Sequence, residues 1–127
     1  APFVVCREDA LEVLGLYTLS ALRVELCSLP KDTVRKLPQY PEIPATRIGR
    51  LAVDLRWRGM RLGEYLLLDA LHKSWQQSHR IGAFAVIVDA TNDEARKFYA
   101  KYGFKTFPNH PNRLFLPMNI VKKIFPE

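Results

Sequence analysis

Apolar and polar positions alternate with two periods along the chain, and the switches between them predict the elements. Residues 3–6 form a short apolar run read as a strand, closed by the polar turn Arg7-Glu8-Asp9. Residues 11–29, rich in Leu, Val, Tyr and Thr, predict one or two long strands, with Gly15 marking a bulge or a close backbone approach. Pro30, Pro38, Pro41 and Pro44 then punctuate a connection with room for one short helix at 32–36. Ile48, Leu51, Val53 and Leu55 among polar neighbours give a mostly buried strand over 46–55. From Leu62 the period changes: Leu62, Leu66, Ala70 and Leu71, joined by Leu67 and Trp75, repeat at helical spacing until about His79. A buried strand is expected over 83–89. A second helix follows, capped by Asn92 or Thr91, with Asp93 and Glu94 in its first turn and an apolar face of Ala95, Phe98, Tyr99 and Tyr102. Gly103 stands where a left-handed residue ends it. Residues 104–107 and 113–118 read as a terminal hairpin, and 119–124 as a last short helix. The order predicts a mixed α/β sheet in one domain spanning 1–127.

Composition narrows the class. The 127 residues are 48% hydrophobic and 25% charged, ordinary for a globular domain that needs no disulfide or metal staple. The two cysteines, Cys6 and Cys27, can build neither a disulfide framework nor a four-thiolate zinc site, and read as reduced thiols in apolar strands of a cytoplasmic protein. Apolar runs such as 83–88 are far too short to cross a bilayer, and no secretory signal pattern opens the chain, so no membrane partner is expected. The net charge of +6 favours polyanionic partners, and its distribution says more. Arg47, Arg50, Arg56, Arg58 and Arg61 crowd around a glycine-bearing turn, whereas Arg96, Lys97, Lys101 and Lys105 read as a solvated face.

That turn carries the most chemistry. A strand running into a turn that bears Arg58, Gly59, Arg61 and Gly63 and opens a helix aims unpaired backbone N–H groups at one point. The helix dipole adds about half a positive charge there, and pyrophosphate is the natural ligand. Gly59 and Gly63 let the backbone come close, while Arg58 and Arg61 add mobile charge. Neither a Walker A loop nor a three-glycine dinucleotide fingerprint is present.

The segment Arg58-Gly59-Met60-Arg61-Leu62-Gly63 resembles the GNAT superfamily motif Gln/Arg-x-x-Gly-x-Gly/Ala, with one departure: Arg61 replaces the middle glycine. Independently, Asn92-x-x-Ala95-x-x-x-Tyr99-x-Lys101-x-Gly103-Phe104 resembles that family's closing helix. The resemblance implies a splayed strand pair, with pantetheine pairing along Leu51, Ala52 and Val53, and acetyl-CoA as cosubstrate without a metal. The implied cofactor contacts are Leu51, Ala52, Val53, Arg58, Gly59, Met60, Arg61, Leu62, Gly63, Asn92, Ala95 and Phe98. Family members usually carry a strand and one or two helices before the segment that begins here at Phe3, so a trimmed or N-terminally shortened domain is expected.

Acetyl transfer needs a neutral amine, a donor for the developing oxyanion and an acid for the departing thiolate. By resemblance the Val53 N–H is the oxyanion donor and Tyr99 the acid. A phenol of pKa about 10 can protonate a thiolate whose acid has pKa about 8.5. Tyr102 is the neighbouring alternative. No general base stands out: Glu25, Asp54 and Asp89 are the candidates, each reading rather as a surface or strand-end carboxylate, and His72, His79 and His110 read as surface residues. An α-amine, with pKa about 7.7–8.0, needs little help at neutral pH. The stretch from Ile48 to Asp54, the Leu-rich helix and Val86-Ile87-Val88-Asp89-Ala90 resemble the acetyltransferase toxins of bacterial toxin–antitoxin modules. That branch implies aminoacyl-tRNA as acceptor, a ribbon-helix-helix antitoxin and a homodimer. The open alternatives are a housekeeping acetyltransferase for small amines or protein N-termini, and a degenerate CoA-binding module.

Overall fold

The computed structural model describes residues 2–6, 13–54, 56 and 59–125. The strands are β1 (Pro2–Cys6), β2 (Val13–Glu25), β3 (Glu42–Val53), β4 (Ala85–Asp89), β5 (Lys105–Phe107) and β6 (His110–Pro117). The helices are α1 (Lys31–Val34), α2 (Leu62–Ile81), α3 (Asp93–Lys101) and α4 (Met118–Ile124). One six-stranded sheet runs in the order β1-β2-β3-β4-β6-β5. Every neighbouring pair is antiparallel except β3–β4, which α2 connects as a crossover.

α2 supplies the main core. Leu66, Leu67, Ala70 and Leu71 are fully buried, packed with Val86, Val88, Leu114 and Leu116 from the sheet. Each large side chain so buried contributes about 1.5–3 kcal/mol. A smaller core on the opposite sheet face joins Ile43, Ala45, Ile87, Phe107 and Phe115 under Leu29 and Val34. Tyr17 of β2 ties the sheet to α2: its hydroxyl donates to Asp69 (2.5 Å), and the Lys73 ammonium donates to both Asp69 (2.6 Å) and Tyr17 (3.0 Å). Burial alone would raise the Asp69 carboxyl, but the bonds from Lys73 and Tyr17 outweigh it and hold it below its usual range. Phe3 stacks on Tyr17 at 5.0 Å and brings β1 into the same assembly.

Several expectations need correction. The long strand ends at Glu25, and Cys27 lies in a 3₁₀ turn (Leu26–Ser28); both cysteines are exposed. β3 starts at Glu42, inside the proline-rich connection. Pro44 fits because its carbonyl faces β4 and accepts from the Phe84 N–H (3.0 Å), so the β2 ladder loses no donor. The hairpin strand β6 starts at His110, inside the expected turn. His72 is half-buried, its ring 4.8 Å from that of Phe125. The polar turn 7–9, Leu11 and Leu55 lie outside the described residues.

Gly15 is a close approach, and it also borders a bulge: Val5 pairs with Gly15 but Cys6 with Val13, which leaves Leu14 as an extra residue in β2. A Cβ on Gly15 would sit 2.8 Å from Leu66 Cδ1 and 2.9 Å from the Ala52 carbonyl oxygen. Gly15→Ala should therefore lower the unfolding free energy by about 2 kcal/mol, readable by urea denaturation.

Candidate active site

The site begins with one extra residue in β3. Leu19 pairs with Ile48 but Thr18 pairs with Arg50, which leaves Gly49 bulged. The bulge reverses the parity of the strand. Ile48 faces the α2 core before it, and Leu51 and Val53 face the same core after it. Arg50 and Ala52 consequently turn to the other sheet face.

The same shift exposes a backbone edge. Pairing of β3 with β4 runs from Thr46–Val86 to Ile48–Val88 and goes no further. The Asp54 N–H donates to the Leu14 carbonyl (2.8 Å), so ladder alternation points the N–H groups of Leu51 and Val53 away from β2 and into the gap beside β4. An extended ligand can pair there as an added strand.

α2 opens next to this gap. Its N-cap, Arg61, has φ 58° and ψ 26°, the one left-handed non-glycine among the described residues. The family motif places glycine there for that reason, and Arg61 retains the conformation at a cost of about 1–2 kcal/mol. Among the described residues no side chain caps α2, and its first-turn amides face the gap without one. Across the gap α3 is capped by Asn92, whose side-chain oxygen accepts from the Ala95 N–H (2.8 Å), and is closed by Gly103 at φ 97°.

These elements enclose a cleft of about 860 Å³. Of the residues singled out in the sequence, Leu51, Ala52, Val53, Gly59, Arg61, Leu62, Gly63, Asn92, Ala95, Phe98 and Tyr99 line it. Met60 does not; it stands 61% exposed in solvent. Arg58 lies outside the described residues. A larger apolar groove of about 1080 Å³, lined by Leu26, Leu29, Val34 and Tyr40, lies toward the opposite end of β2 and β3 and holds none of the motif residues.

Tyr99 is 8% exposed, wedged edge-on between the rings of Phe98 (5.3 Å) and Phe104 (5.4 Å). Burial raises its phenol above the usual value, so the hydroxyl keeps its proton at any ordinary working pH. None of the three candidate bases lines the cleft. Asp54 accepts from the side chain and backbone of Arg56, which hold its carboxyl below the usual range. Asp89 accepts two bonds from Arg113 (2.8 and 3.2 Å) and lies 3.3 Å from Arg47. Glu25 is exposed and accepts from the Cys27 thiol. Thus Arg47 and Arg56 of the first arginine cluster are engaged by carboxylates. In the second, Arg96 bonds Asn112 and pairs with Asp93.

Sequence reasoning passed over one carboxylate of the cleft, Glu64, took Glu94 only as a first-turn acid of the second helix, and gave Tyr102 only a minor place. The signal for Glu64 was its position in the first turn of the helix; its partner could not be read from spacing, because Tyr102 comes from α3.

Comparison with known proteins agrees with this geometry. Residues 40–120 match the acetyltransferase (GNAT) domain family. A tRNA-acetylating toxin of Mycobacterium tuberculosis is 37% identical over 116 residues, 91% of this chain and 68% of the relative. Among solved structures, AtaT complexed with acetyl-methionyl-tRNAfMet superposes with a TM-score of 0.87 at 33% identity, over 98% of this chain and 74% of that one. A mutant AtaT toxin bound to the C-terminus of the antitoxin AtaR and acetyl-CoA gives 0.79 at 28% identity, over 99% and 72%. On the match over residues 40–120 and on these relatives, the chain belongs to the GNAT acetyltransferase family.

Proposed function

We propose that the protein transfers the acetyl group of acetyl-CoA to the α-amine of an aminoacyl-tRNA, as a toxin that blocks translation and is restrained by a ribbon-helix-helix antitoxin. The observation that carries the chemistry is the unpaired Leu51–Val53 edge beside the uncapped mouth of α2. The acceptor is supported by the relatives, one a tRNA-acetylating toxin and one complexed with acetyl-methionyl-tRNAfMet.

Acetyl-CoA supplies the acetyl group as a thioester. The first-turn amides of α2 and the Arg61 guanidinium hold its diphosphate, an arrangement that a helix N-terminus favours. The Leu51 and Val53 backbone pairs with the extended pantetheine arm. Val53 N–H donates to the acyl carbonyl oxygen as negative charge develops there. Tyr99 donates its proton to the departing thiolate. An α-amine of pKa about 7.7–8.0 is partly neutral at pH 7 and attacks without prior deprotonation by a carboxylate; the proton its nitrogen sheds as the amide forms passes to solvent, from which Tyr99 is reprotonated.

The acceptor side fits a polyanion. Arg47, Arg50 and Arg113 project from the sheet face away from α2, as the pairings Arg47–Ile87 and Asp89–Arg113 and the parity of β3 require. Among the described residues Asp89 is the one carboxylate paired with Arg47 and Arg113, and there the three arginines outnumber it. Incubating the protein with labelled acetyl-CoA and a mixed pool of charged tRNA, then identifying the modified amino acid, tests the reading. Label on the α-amine of one or a few aminoacyl-tRNAs is expected. Label only on free amines or protein N-termini would replace it with a housekeeping acetyltransferase.

A further inference from the structure

Glu64 occupies the third helical position of α2, where a glutamate ordinarily folds back onto the backbone N–H of the N-cap residue and closes the helix on itself. In this protein it does not, and among the described residues no side chain caps α2. The Glu64 carboxylate instead accepts the hydroxyl of Tyr102, which comes across the cleft from the end of α3. The aromatic ring of Phe98 lies 5.3 Å from that of Tyr102. Phe98 also sits 3.8 Å from the Cβ position of Gly63, the residue before Glu64. The two helices therefore meet at two adjacent points, one packed and one hydrogen-bonded. Burial and the Glu64 carboxylate push the Tyr102 phenol up to about 12, so it stays a donor across the working range.

We infer that Tyr102 is a positioning residue that draws the Glu64 carboxylate onto α3 and thereby keeps the mouth of α2 open to the diphosphate of the acyl carrier. The inference rests on the cofactor reading given above. A released Glu64 would do two things at once. It would take the Arg61 backbone N–H at the helix mouth as a capping-box residue does, and it would place a like charge against the diphosphate. The hydroxyl of Tyr102 is thus a determinant of carrier affinity, although it touches neither the thioester nor the amine.

The test measures binding of CoA by calorimetry and the kinetics with acetyl-CoA for the wild-type chain, Tyr102→Phe, and Tyr102→Phe combined with Glu64→Ala. Tyr102→Phe should raise Kd and KM about tenfold, a loss of about 1.4 kcal/mol, with kcat within about twofold of wild type. Adding Glu64→Ala should restore Kd and KM to within about threefold of wild type, because the competing carboxylate is gone. S-acetylpantetheine, which has no diphosphate, should show the same KM with all three proteins. Unchanged affinity in Tyr102→Phe overturns the inference. So does a loss that Glu64→Ala leaves unrepaired, or one that extends equally to S-acetylpantetheine, since either assigns the contact to packing alone. A folded wild-type chain without affinity for CoA would overturn the cofactor reading itself, and this inference with it.

Discussion

Tyr99→Phe should lower kcat by about 10²–10³-fold and leave KM for acetyl-CoA within about twofold. The magnitude is that of losing one general acid. The direction of the split follows from geometry: the ring, which packs between Phe98 and Phe104, is retained, and only the hydroxyl disappears. The pH profile gives a second reading. In the wild type the rate should climb with pH as the α-amine loses its proton, around pH 7.7–8.0. Because burial raises the Tyr99 phenol above its usual value, the falling limb should lie above about pH 10. In the variant the rising limb remains, since it belongs to the acceptor, and the falling limb has no group to produce it. A full transfer rate in Tyr99→Phe would remove this residue from the mechanism.

The second large effect concerns salt. If Arg47, Arg50, Arg113 and one further cation meet about four phosphates of a tRNA, log affinity should fall against log salt with a slope of about −3. Between 50 and 200 mM salt that is a loss of about 60-fold, taking about −0.7 to −0.9 per phosphate contact. Arg50→Ala should flatten the slope by nearly one unit and weaken binding of different tRNAs about equally, because phosphate contacts carry no sequence information. Acetyl-CoA affinity should not follow the same line, since the proposed mechanism gives its diphosphate to backbone amides on the opposite side of β3. A slope near zero, measured by filter binding or anisotropy, would exclude the arginine face as the acceptor surface.

Much of this was legible in the sequence, for reasons that can be named residue by residue. The Leu-rich helix and α3 combine an apolar period with local end signals, Asn92 with Asp93 and Glu94 at one end and Gly103 at the other, and both lie close to where those signals put them. The glycine-bearing turn that we propose as the anion site could be picked out because its chemistry would be local: three or four consecutive backbone groups make it. What escaped was decided by partners distant in the chain. Pro44 reads as a breaker until its carbonyl is seen to face Phe84 of the approach to β4. Asp89 reads as a candidate base until Arg113 and Arg47 are found around it. Glu64 reads as an ordinary first-turn acid until Tyr102, 38 positions away, takes its carboxylate.

The bulge at Gly49 has a consequence for what evolution can and cannot vary in this strand. Side chains on either flank of it can be exchanged at modest cost, but the number of residues cannot. Removing position 49 would restore a continuous two-residue rhythm, swing Leu51 and Val53 out of the hydrophobic interior and bring Arg50 and Ala52 in. The N–H groups of Leu51 and Val53 would then turn toward β2, and those of Arg50 and Ala52 would face the gap in their place. Reactivity in this domain is therefore stored partly as a count, and a single-codon deletion in β3 is expected to be more damaging than most substitutions along the same strand.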